Sequence, residues 1–304
     1  MFNFFANIFG YLLQLVYHLV NNYGLAIISF TVVIKILLLP LSIKQQRSMK
    51  KSAELNEKMK VLQFKYKNDP EKLNQEMMNL YKSENMSPFS GCFSGIVQII
   101  LLFAVFYLVR SPLTYMKKID ANIINKYTKI VKENDLSTDS AYPEIEVIRE
   151  LNNIKKLKEN NTENIENNSE NNEEKTDLAE INDEELNSLD INMNFLGLNL
   201  AQIPTRSGDW KAFIIPVLYV LVSVISLRIT NPTPKKKDGE EKNSEDEFDP
   251  MAQMNKNMNL MFPVMYLAVA LIAPLGLALY WLMNSLLMII ERLALNKMLK
   301  DEEE

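Results

Sequence analysis

The chain has 304 residues, 47% of them apolar, with a formal net charge of -5, one Cys and one His. A disulfide framework within the chain and a His/Cys metal cluster are both excluded by that inventory. The apolar residues fall in blocks of 18 or more uncharged positions, which places the protein among polytopic all-α membrane proteins rather than soluble enzymes.

Residues 2–20, FNFFANIFGYLLQLVYHLV, carry no Lys, Arg, Asp or Glu, and Asn3, Asn7, Gln14 and His18 recur at helical spacing along one side. The pattern predicts an amphipathic helix over residues 1–22 lying at the membrane interface. A secretory signal is disfavoured, because no basic residue precedes the apolar stretch and no small-x-small site follows it.

The first span is set at 23–43. GLAIISFTVVIKILLLPLSI is long enough to cross a hydrocarbon core of ~30 Å and carries a single charge, Lys35. Lys35 lies eight residues before the expected cytoplasmic end, or ~12 Å below the surface, at a cost of ~2.5–3.5 kcal/mol. Thr31, Lys35 and Ser42 share one stripe, so this helix has a polar face inside the membrane. No carboxylate is expected to pair with Lys35, which would leave its cation available.

Residues 44–87 read as a basic helical hairpin. Leu55, Met59, Leu62 and Tyr66 are spaced for one helix and Leu73, Met77 and Leu80 for another. Between them Asp69 can cap and Pro70 can take the first helical position. Ten Lys or Arg residues lie between Lys44 and Lys82, which places the hairpin in the cytoplasm and the N-terminus outside. Such a hairpin can also meet anionic lipid headgroups.

A second span is expected at 88–110, with Ser94 and Gln98 on one face. The GCFSG string within it is not a serine protease motif, since no His partner lies in a later span. The loop at 111–210 is expected outside. Over half of residues 151–190 are Asn, Asp or Glu, so that stretch is expected to be a disordered insertion, with a folded module as the alternative. The third span, 211–230, aligns Tyr219, Ser223, Ser226 and Thr230 on one stripe. A cytoplasmic loop follows at 231–257. Residues 260–290 then run apolar around Pro274 and Gly276, and divide into a fourth span at 258–274 and a fifth at 275–296. Tyr280, Trp281 and Asn284 lie in the fifth, and an acidic cytoplasmic tail occupies 297–304.

Several strings together resemble the YidC/Oxa1/Alb3 family of membrane protein insertases: YGLAIISFTVVIKILLLPLSIKQ, KYKNDPEK, the P-x-x-G-C of Pro88 to Cys92, FLGLNL at 195–200 and PLGLALYW at 274–281. The resemblance implies a core of five transmembrane helices, with the hairpin and the interfacial helix attached, around a hydrophilic groove open to cytoplasm and lipid. It implies no bond chemistry, no cofactor and no metal. Lys35 matches a basic position that is Arg in most relatives. A Lys there keeps the charge and loses the planar fork. Ser226 stands where a Gln is common, Trp281 matches an aromatic position of the last span, and the short acidic tail lacks the basic ribosome-binding extension of some relatives.

The groove expected on these grounds is lined by Lys35, Thr31, Ser42, Gln98, Tyr219, Ser223, Ser226, Tyr280, Trp281 and Asn284. Its partners would be nascent membrane proteins and anionic lipid, with the ribosome and a Sec-type translocon left open and no specific DNA binding. The bacterial cytoplasmic membrane is the expected location. The alternative is a small-solute transporter or channel built on the same intramembrane Lys. Against it stand the lack of an internal repeat and a hairpin larger than gating needs.

Overall fold

A computed structural model describes residues 2–84, 90–136, 141–167, 181–230 and 265–301. The loop expected at 231–257, the first part of the fourth span and the last three residues lie outside them. The chain divides into two compact units: residues 1–32 with 104–289, and residues 33–103 with 290–304. Three helices carry residues of both.

The first unit begins with α1, Phe2–Val20. It ends at Asn21, whose φ of 45° is the left-handed conformation that closes helices. Asn22 then caps α2, Tyr23–Lys65, by accepting from the Leu25 amide at 3.1 Å. Ala6, Leu13, Val16 and Tyr17 are buried along α1, while Asn3, Asn7 and His18 are exposed. A Cβ at Gly10 would overlap the Tyr115 carbonyl oxygen, so only glycine permits this approach of α1 to α5, Pro112–Tyr115. By length and composition alone, α1 could also cross a membrane.

After α4, Ser90–Arg110, and α5 come α6, Ala121–Glu133, α7, Pro143–Asn167, and α8, Asp183–Leu189. These three pack as a small module. Its interior holds Tyr127, Ile130 and Val131 of α6, Val147, Leu151 and Ile154 of α7, and Leu186 and Leu189 of α8. Ion pairs Lys126–Glu185 at 2.8 Å and Lys158–Asp183 at 2.6 Å edge it. The expectation of disorder over 151–190 is therefore corrected at both ends of that stretch. Leu151, Ile154, Leu186 and Leu189 are few, but they fall at helical spacing and meet α6, which provides the burial that composition alone does not suggest. Residues 168–180 lie outside the described residues.

A short antiparallel hairpin follows, β1, Asn194–Phe195, and β2, Leu198–Asn199. Its two turn residues, Leu196 and Gly197, have φ of 50° and 80°, the pair of positive angles a two-residue primed turn requires. The chain continues through α9, Pro204–Ser207, to α10, Ile214–Thr230. Residues 265–272 form α11, and α12 spans Leu275–Asp301. The break at Ala273–Pro274 falls where the sequence places a turn between spans four and five.

Three separated strings meet here. Tyr23 N donates to Asn192 O at 2.9 Å, and a Cβ on Gly24 would overlap the Phe195 ring. Gly276 N donates to Leu200 O and Leu275 N to Gln202 O, both at 2.9 Å. The carbonyls of Leu200 and Gln202, just after the β-hairpin, thus receive the first amides of α12, which have no partner within their own helix.

In the second unit, α2 continues through Pro40 to Lys65, so the first span and the first hairpin arm are one helix of 43 residues. Asp69 accepts from Lys72 N at 3.0 Å and Pro70 starts α3, Pro70–Ser83. Leu55 is buried, Met59 meets the Tyr81 hydroxyl at 3.5 Å, and Lys72 lies over the Tyr66 ring at 5.4 Å. Among the described residues, four helices are long and apolar enough to cross a membrane: α1, the early part of α2, Trp210–Leu227 and Leu275–Met298. The all-α membrane class is the one observed.

Candidate functional site

The expected groove residues fall in both units. In the second unit, Lys35 donates to Glu291 Oε2 at 3.1 Å, with side chains 21% and 14% exposed. The expectation of an unpaired cation is thereby corrected. The physical reason is that α12 runs unbroken past Ile290, so Glu291 enters the apolar zone with it. A buried ammonium is stabilised by a carboxylate there. The other carboxylate oxygen, Oε1, is buried with no partner among the described residues. Further along α2, Gln46 donates to Asn296 at 2.7 Å and Arg292 approaches Met49 Sδ at 3.9 Å. Ser42 is half-buried, and the side chain of Gln98 lies outside the described residues.

In the first unit, Tyr219, Ser223 and Ser226 form one buried face of α10. The Tyr219 ring lies 5.8 Å from Trp281 of α12 and 5.9 Å from Tyr266 of α11. The three rings form an aromatic cluster that joins these helices. Tyr280 is buried, and Asn284 is half-buried one turn further along α12. Thr31 is buried and its hydroxyl donates to Ile27 O at 2.6 Å, within its own helix. That bond satisfies the hydroxyl without any groove. Tyr266 and Ser285, the latter buried beside Asn284 in sequence, were not singled out from the sequence.

The chemistry available at Lys35 is electrostatic. One carboxylate balances one ammonium, and no group of three or more His, Cys, Asp or Glu able to hold a metal occurs among the described residues.

A family model described as 60Kd inner membrane protein matches residues 15–303. The chain belongs to the YidC/Oxa1/Alb3 family. Over 102 residues it is 45% identical to the membrane protein insertase YidC of Caldanaerobacter subterraneus, covering 34% of this chain and 50% of that protein. Over 94 residues it is 47% identical to YidC of Chlorobaculum parvum, covering 31% of this chain and 16% of the relative. The match to YidC of Clostridium perfringens is 46% over 87 residues, 29% of this chain and 37% of that one. The chain thus spans half or less of the length of these relatives. The strings that meet around Gly24, Phe195 and Gly276 all fall within the region matched by the family model.

Proposed function

We propose that the protein is a membrane protein insertase and chaperone of the bacterial cytoplasmic membrane, with its N-terminus outside and its C-terminus in the cytoplasm. It takes hydrophobic nascent segments into a hydrophilic groove open to the cytoplasm and to lipid. Lys35 attracts acidic or polar parts of the client, and the segment leaves sideways into the bilayer. Thr31, Ser42, Gln98, Tyr219, Ser223, Ser226, Tyr280, Trp281 and Asn284 are its proposed lining. The turn at Asp69 and Pro70 holds the receiving hairpin, whose basic residues face anionic lipid. The interfacial helix at 1–22 completes the setting. No bond is made or broken and no cofactor takes part.

The observation that carries this reading is family membership over nearly the whole chain, residues 15–303. A charged side chain held low in an apolar helix, where it is costly to keep, supports the role given to Lys35.

The test is photocrosslinking from position 35 in membranes translating a single-span client with an acidic external tail, with insertion assays of Lys35→Ala and Lys35→Arg. Crosslinks to the nascent chain, loss of insertion with Ala and retention with Arg are expected. Contact with lipid alone and normal insertion by the Ala variant would remove Lys35 from the mechanism.

A further inference from the structure

Glu291 gives Lys35 a partner that the charge-attraction picture does not contain. Among the described residues, the pair is only partly satisfied. Lys35 has three N–H donors, and Glu291 Oε2 is the one acceptor the described residues give it, at 3.1 Å. Glu291 has a second oxygen, buried and with no partner among the described residues. A purely structural buried pair needs further hydrogen bonds on both groups to offset desolvation. Among the described residues both groups keep unused capacity.

We propose that Glu291 is a specificity-determining residue: a built-in carboxylate that holds Lys35 at rest and must be displaced by the client's own acid. This rests on the insertase reading of Lys35 given above. Exchange replaces one carboxylate by another on the same ammonium, so the charge balance of Lys35 is kept. The released Glu291 accepts from amide or hydroxyl donors of the entering chain, for which Oε1 already has room in its bonding. A client with one weakly placed acid then competes poorly, and one with several closely spaced acids competes well. Without Glu291 the site would attract any acidic segment.

The experiment uses the full chain in proteoliposomes with single-span clients that differ only in their external tails: none, one or three Asp residues. Glu291→Gln keeps the shape and removes the charge. Insertion of the one-acid client is expected to rise about fivefold relative to the neutral client, the scale of a partly screened ion pair. The three-acid client gains less, so the preference for multiple acids flattens. A fall in all three clients by the same factor, or an unchanged ranking, overturns the proposal. A second variant guards against misfolding: Lys35→Gln with Glu291→Gln leaves a neutral pair, and its insertion should no longer depend on tail charge. Lys35→Gln alone separates the two readings. If it leaves acidic clients unaffected, the role of Lys35 itself fails. If it lowers them while Glu291→Gln changes no ranking, only the competitor role fails.

Discussion

The α6–α8 module and the α2–α3 hairpin are both built from charge-rich helices, and they differ in what those helices bury. Tyr127, Val147 and Ile154 have no exposed surface at all, so the module encloses a core. In α3 no residue is buried, and Phe64, Val61 and Met78 stand out at 77%, 67% and 52% exposure. Among the described residues, hairpin contacts run along a stripe through Leu55, Met59, Tyr66 and Tyr81 with the ion pair Lys58–Glu84 at 2.5 Å. One region is stabilised by its own interior. The other leaves most of its apolar groups outside and relies on two-helix contact, which is marginal in water.

The sharpest way to break that contrast is to remove one core methyl cluster from each side. Ile154→Ala in the module should cost about 3 kcal/mol, through lost transfer energy and the cavity left behind. Leu80→Ala in the hairpin, where the side chain is half-exposed, should cost under about 1 kcal/mol. Thermal unfolding in detergent, followed by protease cleavage between residues 121 and 189, reads the first. Equal losses would show that the hairpin has a core of its own.

A second difference is electrostatic. Glu144 in the module accepts from Leu113 N at 2.8 Å, Thr114 N at 3.0 Å and Thr114 Oγ1 at 2.6 Å. Burial nevertheless pushes its carboxyl above the ordinary carboxylate range, outweighing the bonds from Thr114, Leu113 and Ser111. The native state therefore keeps this proton at pH values where the unfolded chain has released it. Stability contributed by the protonated form is present at low pH and is lost as pH rises through the raised value. Relative to Glu144→Gln, the parent should lose thermal stability as pH rises from the ordinary carboxylate value. A parent-to-variant difference independent of pH would mean that the hydrogen bonds cancel the effect of burial, and a gain in the parent's stability as pH rises would mean that they outweigh it.

The same contrast explains what was legible in the sequence. Periodicity marks the hairpin stripes and the Asp69–Pro70 pair marks the cap, because both signals are local. The break at Pro274 was legible for the same reason. The module was not, since its apolar residues are sparse and become a core only when α6, α7 and α8 meet across a long separation. Glu291 was missed for a related reason. It lies seven residues beyond Asn284, on the same stripe of α12, and five residues before the expected end of the fifth span at 296. That is a depth of ~8 Å, close to the ~12 Å of Lys35, so depth matching of opposite charges is a signal that could have found it. The meeting of Gly24, Phe195 and Gly276 had no such signal, because close backbone approach is visible only in three dimensions.

The smallest expected effect tests whether the hairpin turn is as local as its geometry. Asp69 makes one capping bond, to Lys72 N at 3.0 Å, and Pro70 presets the first helical residue. Asp69→Ala should lower the local stability of α3 by about 1 kcal/mol. Amide exchange at residues 71–74 should quicken by about fivefold, the factor that free energy implies. The module, which has an interior of its own, should keep its exchange rates. Faster exchange in α6–α8 as well would mean that the turn contributes to global stability, and the division between a self-supported module and a partly supported hairpin would have to be redrawn.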